Sequence, residues 1–259
     1  MTMHGTADQV CEIINPEGDP GVLLICDHAS NAVPGDLDNL GLDAAVMARH
    51  IGWDIGAGPL TRRLADLLNA PAALCRFSRL LIDPNRSLDH PQSIPAVSDE
   101  IVVPGNQGLG AAEADRRAKL YHGPYHDQIA QRIAAASGHG APALVAVHSF
   151  TPVMDGYERP WHAAVLHDDD TRLAAPILKA FERYPDLVVG DNEPYTGYSD
   201  LTFTLPHHSS ARGLPSVALE IRQDLIDTPA GVERWAFRLK DVLAGPLADP
   251  AHRSMAAKT

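Results

Sequence analysis

Two histidines that each follow an apolar run are the residues in this chain best suited to chemistry. Residues 22–26 (VLLIC) lead into Asp27 and His28, and residues 143–147 (ALVAV) lead into His148. Neutral imidazole is a good zinc ligand, and a catalytic zinc usually takes three protein ligands and keeps a further position for water. The alternative for either histidine alone is a structural role, as a hydrogen-bonded residue at the end of a strand. Because the two occupy equivalent places, we expect them to bind zinc or another divalent metal ion together.

Asp54 is the candidate for a third ligand. It stands among apolar neighbours in residues 50–57 (HIGWDIGA), within a segment of helical spacing. Burial of a carboxylate there is costly unless the group is paired or binds a metal. The alternative is that Asp54 caps a helix or hydrogen-bonds the glycine-rich bend that follows it.

Glu220 is the candidate general base. It follows the apolar residues 217–219 and precedes Ile221 and Arg222. A carboxylate at the end of a buried strand can take a proton from a metal-bound water, particularly where burial raises its pKa. The alternative is an ion pair with Arg222 or with another surface residue.

Arg79 and Arg86 are candidates for binding a substrate carboxylate. They bracket the exit from an apolar run into a loop in residues 77–86 (FSRLLIDPNR). A guanidinium can bind a carboxylate through two parallel hydrogen bonds. Either arginine can instead be solvated, and Arg86 is the preferred candidate of the two.

Two long polar stretches, residues 84–108 and 191–212, supply further candidates, since long irregular loops in compact domains are often functional. The second stretch holds four side chains that could reach a substrate: Asn192, Tyr195, His207 and His208. One of its two histidines could donate a hydrogen bond to a developing oxyanion.

A serine nucleophile is not expected, because the sequence contains no Gly-x-Ser-x-Gly elbow.

These residues must be positioned by strands and helices that alternate along the chain. Short apolar runs predict strands at 22–26, 72–77, 143–148, 163–167, 187–190 and 216–221. Helical spacing predicts helices at 42–69 with a break near 56–59, at 110–136 with a kink near Pro124, at 171–183 and at 229–244. The ring side chains of the second helix are interpreted as packing residues: Tyr121, His122, Tyr125 and His126.

This alternation predicts a layered α/β fold with a mostly parallel sheet. In such sheets ligands bind beyond the carboxyl ends of the strands, which is where both histidines stand. The length of 259 residues suits one large domain, in which only the ends, about 1–18 and 248–259, are expected to be loosely held. Hydrophobic residues make up 45% of the chain and charged residues 21%, as in an ordinary globular protein.

Charge and composition restrict the partners. The net charge of −12 argues against nucleic acid and against an anionic membrane, but local cations can still bind a small anionic substrate. No apolar run approaches the length of a membrane span, and the first residues lack the pattern of a signal peptide. Cys11, Cys26 and Cys75 show no CxxC spacing, and the last two fit buried apolar positions. We therefore expect a cytoplasmic protein that is a monomer or a small homo-oligomer.

Several of these motifs together resemble a known family. HSF at 148–150, NR at 85–86 and EIR at 220–222 look like elements of zinc carboxypeptidases. The closer resemblance is to the N-formylglutamate amidohydrolase family, which shares that broad fold. It is carried, in chain order, by DHASN at 27–31 with Pro34, by 50–57, by 78–86, by HSFTP at 148–152, by RPW at 159–161, by NEPY at 192–195 and by EIRQDLI at 220–226. The resemblance runs from about residue 20 to about residue 245.

The resemblance implies a fold and a ligand set. The fold would be a three-layer α/β/α arrangement around a mixed, mostly parallel sheet, as in zinc carboxypeptidases and other phosphorylase/hydrolase-like proteins. Zinc carboxypeptidases supply their first two ligands as His-x-x-Glu, whereas here His28 is followed at that spacing by Asn31. An amide is a poor replacement for a carboxylate ligand, so the implied set is His28, Asp54 and His148. Asn31 would instead orient a ligand or contact the substrate.

The resemblance also implies an activity: zinc-dependent hydrolysis of N-formylglutamate to glutamate and formate, a step of histidine breakdown. Glu220 would take the proton of the water and pass it to the leaving nitrogen. The residues expected to contact substrate are Asn31, Arg79, Asn85, Arg86, Ser149, Asn192, Tyr195, His207, His208 and Arg222. The alternatives are an amidohydrolase or carboxypeptidase-like peptidase with another N-acyl amino acid or peptide as substrate, and a non-catalytic protein that binds acidic metabolites.

Overall fold

The computed structural model describes residues 7–136, 142–195 and 202–253. Its strands, in chain order, are β1 (Cys11–Ile14), β2 (Val22–Cys26), β3 (Ala72–Cys75), β4 (Val97–Ser98), β5 (Ile101–Val102), β6 (Ala143–Phe150), β7 (Val153–Met154), β8 (Tyr157–Glu158), β9 (Ala163–Leu166), β10 (Val189–Asp191) and β11 (Ser216–Arg222). Its α-helices are α1 (Ala7–Val10), α2 (Ala44–Met47), α3 (Ala57–Leu68), α4 (Ala111–Arg117), α5 (Gly123–Ala136), α6 (Ala174–Phe181), α7 (Thr204–His208) and α8 (Pro229–Ala248). Short 3₁₀ turns lie at Gly35–Gly41, Pro104–Asn106, Ser210–Arg212, Gln223–Leu225 and Pro250–Arg253.

Seven strands form one mixed sheet in the order β1-β3-β2-β6-β11-β9-β10. The four central neighbours β3, β2, β6 and β11 are parallel, whereas β1 runs antiparallel to β3 and β9 runs antiparallel to β11. The short pairs β4–β5 and β7–β8 form two separate hairpins. The predicted mixed, mostly parallel sheet is therefore confirmed.

Alternate strand residues divide into two apolar cores, one on each face of the sheet. Along β2, Leu24 belongs to the core under α3, α6 and α8, while Leu23 and Ile25 belong to the core under α5. Strands covered on both faces have no polar face, which explains why β2 and β6 are continuous apolar runs. Helices on both faces give the three layers that the family resemblance implied.

The edge strand β1 corrects the expectation that residues 1–18 form a loose end. Its four residues pair with β3, and Cys11 is buried. The sequence gives little sign of it, because a short, half-buried edge strand lacks the continuous apolar run of the central strands. At the other end, the expected loose segment 248–259 is described only as far as residue 253.

The predicted helix 42–69 is two helices, α2 and α3, joined by a loop. Gly56 stands immediately before α3 with a φ of +80°, and a Cβ there would meet the carbonyl oxygen of Ile226 at 2.2 Å. The predicted break near 56–59 is therefore confirmed, because a new helix begins there. Asp54 consequently lies in the loop, which corrects its placement on a helix.

The predicted irregularity at Pro124 is confirmed. Helices α4 and α5 are joined by a single π-helical turn, Ala118–His122, directly before Gly123 and Pro124. Proline lacks the N–H that an α-helix needs at this point, so the backbone takes the wider turn. The turn brings Tyr121 and His122 into the protein interior.

The three cysteines are buried and unpaired, as expected of Cys26 and Cys75 from their apolar surroundings. Among the described helices, none combines the length and the apolar character needed to cross a membrane.

Candidate active site

The carboxyl ends of β2, β6 and β11 bring the three central candidates together. His28 follows β2, His148 lies near the end of β6, and Glu220 lies near the end of β11. Glu220 and His148 are direct neighbours in the register of the two parallel strands. The rings of His28 and His148 are 5.1 Å apart, centre to centre.

Asp54 lies between the two histidines although it comes from a different element. Its backbone N–H donates to the His28 carbonyl at 3.0 Å, which ties the loop before α3 to the end of β2. Its Oδ1 is 3.3 Å from His28 Nδ1, and its Oδ2 is 2.8 Å from His148 Nδ1. Ser149 holds the same carboxylate, since its N–H approaches Oδ2 at 3.3 Å.

Each imidazole faces a second carboxylate with its other nitrogen. His28 Nε2 is 2.8 Å from Asp83 Oδ1, and His148 Nε2 is 3.5 Å from Asp27 Oδ2. Asp27 is held in turn by the hydroxyl of Tyr125, which donates to Oδ1 at 2.8 Å. A carboxylate on Nε2 fixes the tautomer and turns Nδ1 toward the centre, as in the carboxylate–histidine–zinc arrangement of metalloproteins.

These residues fit a divalent metal ion. One donor atom from each of His28, Asp54 and His148 lies within 4.8 Å of the others, and all three side chains are buried. Beside these donor atoms, Glu220 Oε2 is buried and has no hydrogen-bond partner in the described part of the chain. Buried polar atoms are rarely left without a partner, and nitrogen and oxygen donors of this kind suit zinc.

The charges of the site favour the same conclusion. Burial alone would raise the pKa of Asp54, but the charges of His28 and His148 and their hydrogen bonds lower it. Burial would lower the pKa of His148, yet hydrogen bonds with Asp27 and Asp54 hold it well above its usual value. The carboxylates around the two imidazoles therefore stabilise positive charge at their centre.

Glu220 has the properties of a general base. It is only 8% exposed, and burial raises its pKa to about 7, with the charge of His148 opposing that rise. A carboxyl group with a pKa near neutrality can both take and return a proton.

A cavity of about 310 Å³ opens over this cluster, a volume suited to a small ligand. Nine of the residues singled out by sequence line it: His28, Asp54, Arg79, Asn85, Arg86, His148, Ser149, Tyr195 and Glu220.

Arg79 lies in the cavity wall but is paired with two carboxylates. Its Nε and Nη2 donate to Asp83 Oδ2 at 3.1 and 2.8 Å, and its Nη1 reaches Asp54 Oδ1 at 3.4 Å. It thereby links the loop of Asp54 to the residue that orients His28. A quarter of its side chain stays exposed, so it also faces a ligand in the cavity.

Asn85 and Arg86 sit on one loop with different contacts. The Asn85 side-chain oxygen accepts from the backbone N–H groups of Phe203 and Thr204, at 2.9 and 3.0 Å, and so fixes the start of α7. Arg86 Nη1 donates to the Asn85 carbonyl at 3.0 Å while the residue lines the cavity.

Two of the asparagines named as substrate contacts face elsewhere in the described structure. Asn31 Nδ2 donates to the Met47 carbonyl at 3.0 Å, and Asn192 Oδ1 accepts from the His167 N–H at 2.9 Å. Neither is among the described residues that line the cavity. Both hold backbone in place, a role that sequence spacing does not distinguish from substrate contact.

His207, His208 and Arg222 are also outside the described cavity lining. His207 is exposed and stacks on Phe203, whereas His208 is buried in contact with other side chains. The guanidinium of Arg222 pairs with Asp224 at 2.8 Å and not with Glu220, the partner considered for it in the sequence.

Asp27, Asp83 and Tyr125 are site residues that the sequence interpretation left out. Asp83 ends the run LLI at 80–82, and Asp27 ends the run VLLIC, so each is a carboxylate after an apolar run, as Glu220 is. The sequence pattern that identified Glu220 could therefore have identified both aspartates. The sequence contains no comparable signal for Tyr125, because an aromatic residue at helical spacing is more often a packing residue.

The fold and the site together define a class of protein: a three-layer α/β protein with a histidine and carboxylate centre at the carboxyl ends of its central strands. The sequence model of the N-formylglutamate amidohydrolase family matches residues 21–227, and the chain belongs to that family. The chain is accordingly an amidohydrolase.

Two solved structures are similar to this chain in fold. A gene product from Agrobacterium tumefaciens is 35% identical to this chain, with a TM-score of 0.88 over 92% of this chain and 95% of its own. The N-formylglutamate amidohydrolase from Ralstonia eutropha is 20% identical, with a TM-score of 0.72 over 92% of this chain and 97% of its own, and shares the fold. No curated protein sequence is significantly similar to the chain.

Proposed function

We propose that this protein catalyses metal-dependent hydrolysis of the amide bond of N-formylglutamate, giving glutamate and formate. The observation that carries the proposal is the convergence of His28, Asp54 and His148 with Glu220 in one cavity of an amidohydrolase-family fold. In this proposal the reaction is a cytoplasmic step of histidine breakdown.

The metal-binding residues of the proposal are His28, Asp54 and His148. Zinc at this place would supply a water of lowered pKa and would polarise the formyl oxygen. Asp83 and Asp27 keep the two imidazoles turned toward the centre through their Nε2 atoms. These contacts hold the donor set in place before substrate arrives.

Glu220 performs the proton transfers of the proposal. It takes a proton from the attacking water and returns it to the leaving nitrogen of glutamate. Its burial raises its pKa to about 7, close to that of a metal-bound water, so the carboxylate can take the proton and the resulting acid can return it.

Arg86 binds a carboxylate of the substrate, and the exposed part of Arg79 contributes the second positive charge of the cavity. A substrate with two carboxylates needs such local cations in a chain whose net charge is −12.

Formate release from N-formylglutamate by the metal-depleted and the zinc-loaded protein tests the proposal. We expect turnover only with metal, about one zinc bound per chain, and loss of that zinc in His148→Ala. Glu220→Gln keeps the zinc but loses at least about 100-fold in kcat. The matched control is Glu233→Gln, which removes an exposed carboxylate paired with Arg63.

A parallel assay with N-acetylglutamate and with N-formyl derivatives of uncharged amino acids tests the substrate independently of the reaction mechanism. Preference for one of them would replace N-formylglutamate and keep the mechanism. The enzyme proposal fails if zinc-loaded protein releases no formate and neither variant alters turnover of any N-acyl amino acid.

A further inference from the structure

Three histidines lie behind the loop that carries Asn85 and Arg86, and the proposed chemistry does not use them. His122 comes from the π-helical turn, His126 from α5 and His208 from α7. We call them the histidine cluster. All three side chains are buried, and none is among the described residues that line the cavity.

The histidine cluster makes side-chain hydrogen bonds to the backbone of the loop. His122 Nε2 is 3.0 Å from the carbonyl oxygen of Arg86, and His126 Nε2 is 2.9 Å from the carbonyl oxygen of Pro84. A carbonyl oxygen can only accept, so in each ring Nε2 carries the hydrogen. Two carbonyl groups in a three-residue stretch are thus held by two rings.

The third ring fixes the orientation of the second. His126 Nδ1 is 2.9 Å from His208 Nε2, and since a neutral His126 has its hydrogen on Nε2, Nδ1 accepts from His208. His208 Nδ1 is then an acceptor, and it is buried without a partner among the described residues. Burial lowers the pKa of His126 and of His208 to about 3, so both rings are neutral near pH 7.

The side chain of Asn85 also ties the loop to α7. The Asn85 side chain accepts from the backbone of Phe203 and Thr204 at the start of α7. Each residue of the stretch 84–86 is therefore fixed by a bond between a side chain and backbone. The stretch held in this way ends on Arg86, a residue of the cavity wall.

We propose that His122 and His126 are positioning residues that set the backbone of residues 84–86 so that the Arg86 guanidinium meets the substrate carboxylate. The inference rests on the proposed function, in which Arg86 binds that carboxylate. A long, flexible arginine binds more tightly when its own backbone is already fixed, because less freedom is lost on binding. The histidines therefore act on substrate binding and leave proton transfer by Glu220 unchanged.

The first test compares two replacements of His122. His122→Phe keeps a ring against His126 and Phe203 but removes the donor to the Arg86 carbonyl. We expect it to raise KM for N-formylglutamate about tenfold while kcat changes less than about twofold. His122→Gln places an amide N–H where Nε2 stood and restores KM. The control is His252→Phe, which likewise keeps a ring but removes a ring nitrogen that lies 3.2 Å from a backbone carbonyl oxygen, that of Pro246.

The second test is a double-mutant cycle with Arg86→Ala. If His122 acts through Arg86, His122→Phe has no further effect on KM once the guanidinium is gone. A purely structural role predicts the same fractional loss in both backgrounds. Additive effects, or a loss in kcat with KM unchanged, would overturn the inference while leaving the proposed function intact.

Binding measurements distinguish failure of the inference from failure of the proposed function. If the wild-type protein hydrolyses no N-acyl amino acid, the proposed function fails. The dissociation constant of N-formylglutamate, measured by calorimetry with metal-depleted protein, then takes the place of KM in the same cycle. No binding by wild type, or equal binding by wild type and His122→Phe, would refute the positioning role as well.

Discussion

At the level of single residues, Asp83 connects the imidazole of His28 to the guanidinium of Arg79. Its Oδ1 faces His28 Nε2 at 2.8 Å, and its Oδ2 accepts two hydrogen bonds from Arg79. Burial would raise its pKa, but the charges of Arg79 and His28 hold that pKa well below the usual value, so the group is an anion. An anion at this position makes His28 Nδ1 more basic and keeps it turned toward Asp54.

Asp83→Asn should therefore weaken metal binding without touching a ligand. We expect the zinc affinity to fall about 10- to 100-fold, because the imidazole loses its charged partner. Competition with a chromophoric chelator measures the affinity. Asp224→Asn, which breaks the exposed pair with Arg222, serves as the control. An unchanged affinity in Asp83→Asn would show that Asp83 does not orient His28.

Single residues also show what a sequence can predict about such a site. His28, His148 and Glu220 could be found because each ends an apolar run, and the parallel sheet brings the ends of such runs together. Asn31 and Arg222 have the right residue types near the right places. Whether they face the cavity depends on the path of a loop or a strand end, which residue type does not encode.

At the level of elements, the beginning of α3 decides where Asp54 lies. Gly56 turns the chain with a positive φ, directly against the carbonyl oxygen of Ile226. The Ala57 N–H then reaches back to the Asp54 carbonyl at 3.2 Å. A tight turn fixed on both sides places a carboxylate more accurately than a side chain on an open loop.

Gly56→Ala should destabilise the protein and disturb the site together. A methyl group 2.2 Å from a backbone oxygen forces the turn to move, and we expect a loss of at least about 2 kcal/mol in the free energy of unfolding. Gly108→Ala is the matched control, since Gly108 has a φ of +61° with open space around it, and should cost about 1 kcal/mol. Urea denaturation measures both, and equal losses would mean that contact with Ile226 is unimportant.

Elements differed in how well the sequence predicted them. Strands β2 and β6 are buried on both faces, so their composition alone identifies them. The loop between α2 and α3 has helical spacing because its apolar residues, such as Ile51, pack into the core from irregular backbone. Packing of that kind depends on tertiary contacts, so local periodicity predicts a helix where none forms.

At the level of the whole molecule, buried rings make stability depend on pH. The pKa values of His126 and His208 fall from 6.5 to about 3 in the folded protein, so unfolding takes up protons below about pH 6.5. The free energy of unfolding should thus fall as the pH drops from about 6.5 toward about 3. His126→Gln should reduce the slope by up to about 1.4 kcal/mol per pH unit. An unchanged slope in urea denaturation at several pH values would contradict this.

Thiol reactivity gives a second measure of the whole fold. Burial raises the pKa of Cys11 to about 12 and raises those of Cys26 and Cys75, so the reactive thiolate is scarce in the native state. We expect a thiol reagent to label the native protein only as fast as it unfolds and to label all three thiols in denaturant. An exposed thiol in Gln131→Cys should react at once. Fast labelling of the unmutated native protein would show local opening around a cysteine.

The position of β11 has a consequence for how the protein is made. This strand lies between β6 and β9, both of which precede it along the chain. A nascent chain on the ribosome therefore completes His28, Asp54 and His148 while the slot beside His148 still lacks its strand. Glu220 enters only when β11 inserts into that slot. A growing chain can thus complete the proposed metal ligands first, and it gains the proposed proton carrier in the same event that joins the two halves of the sheet.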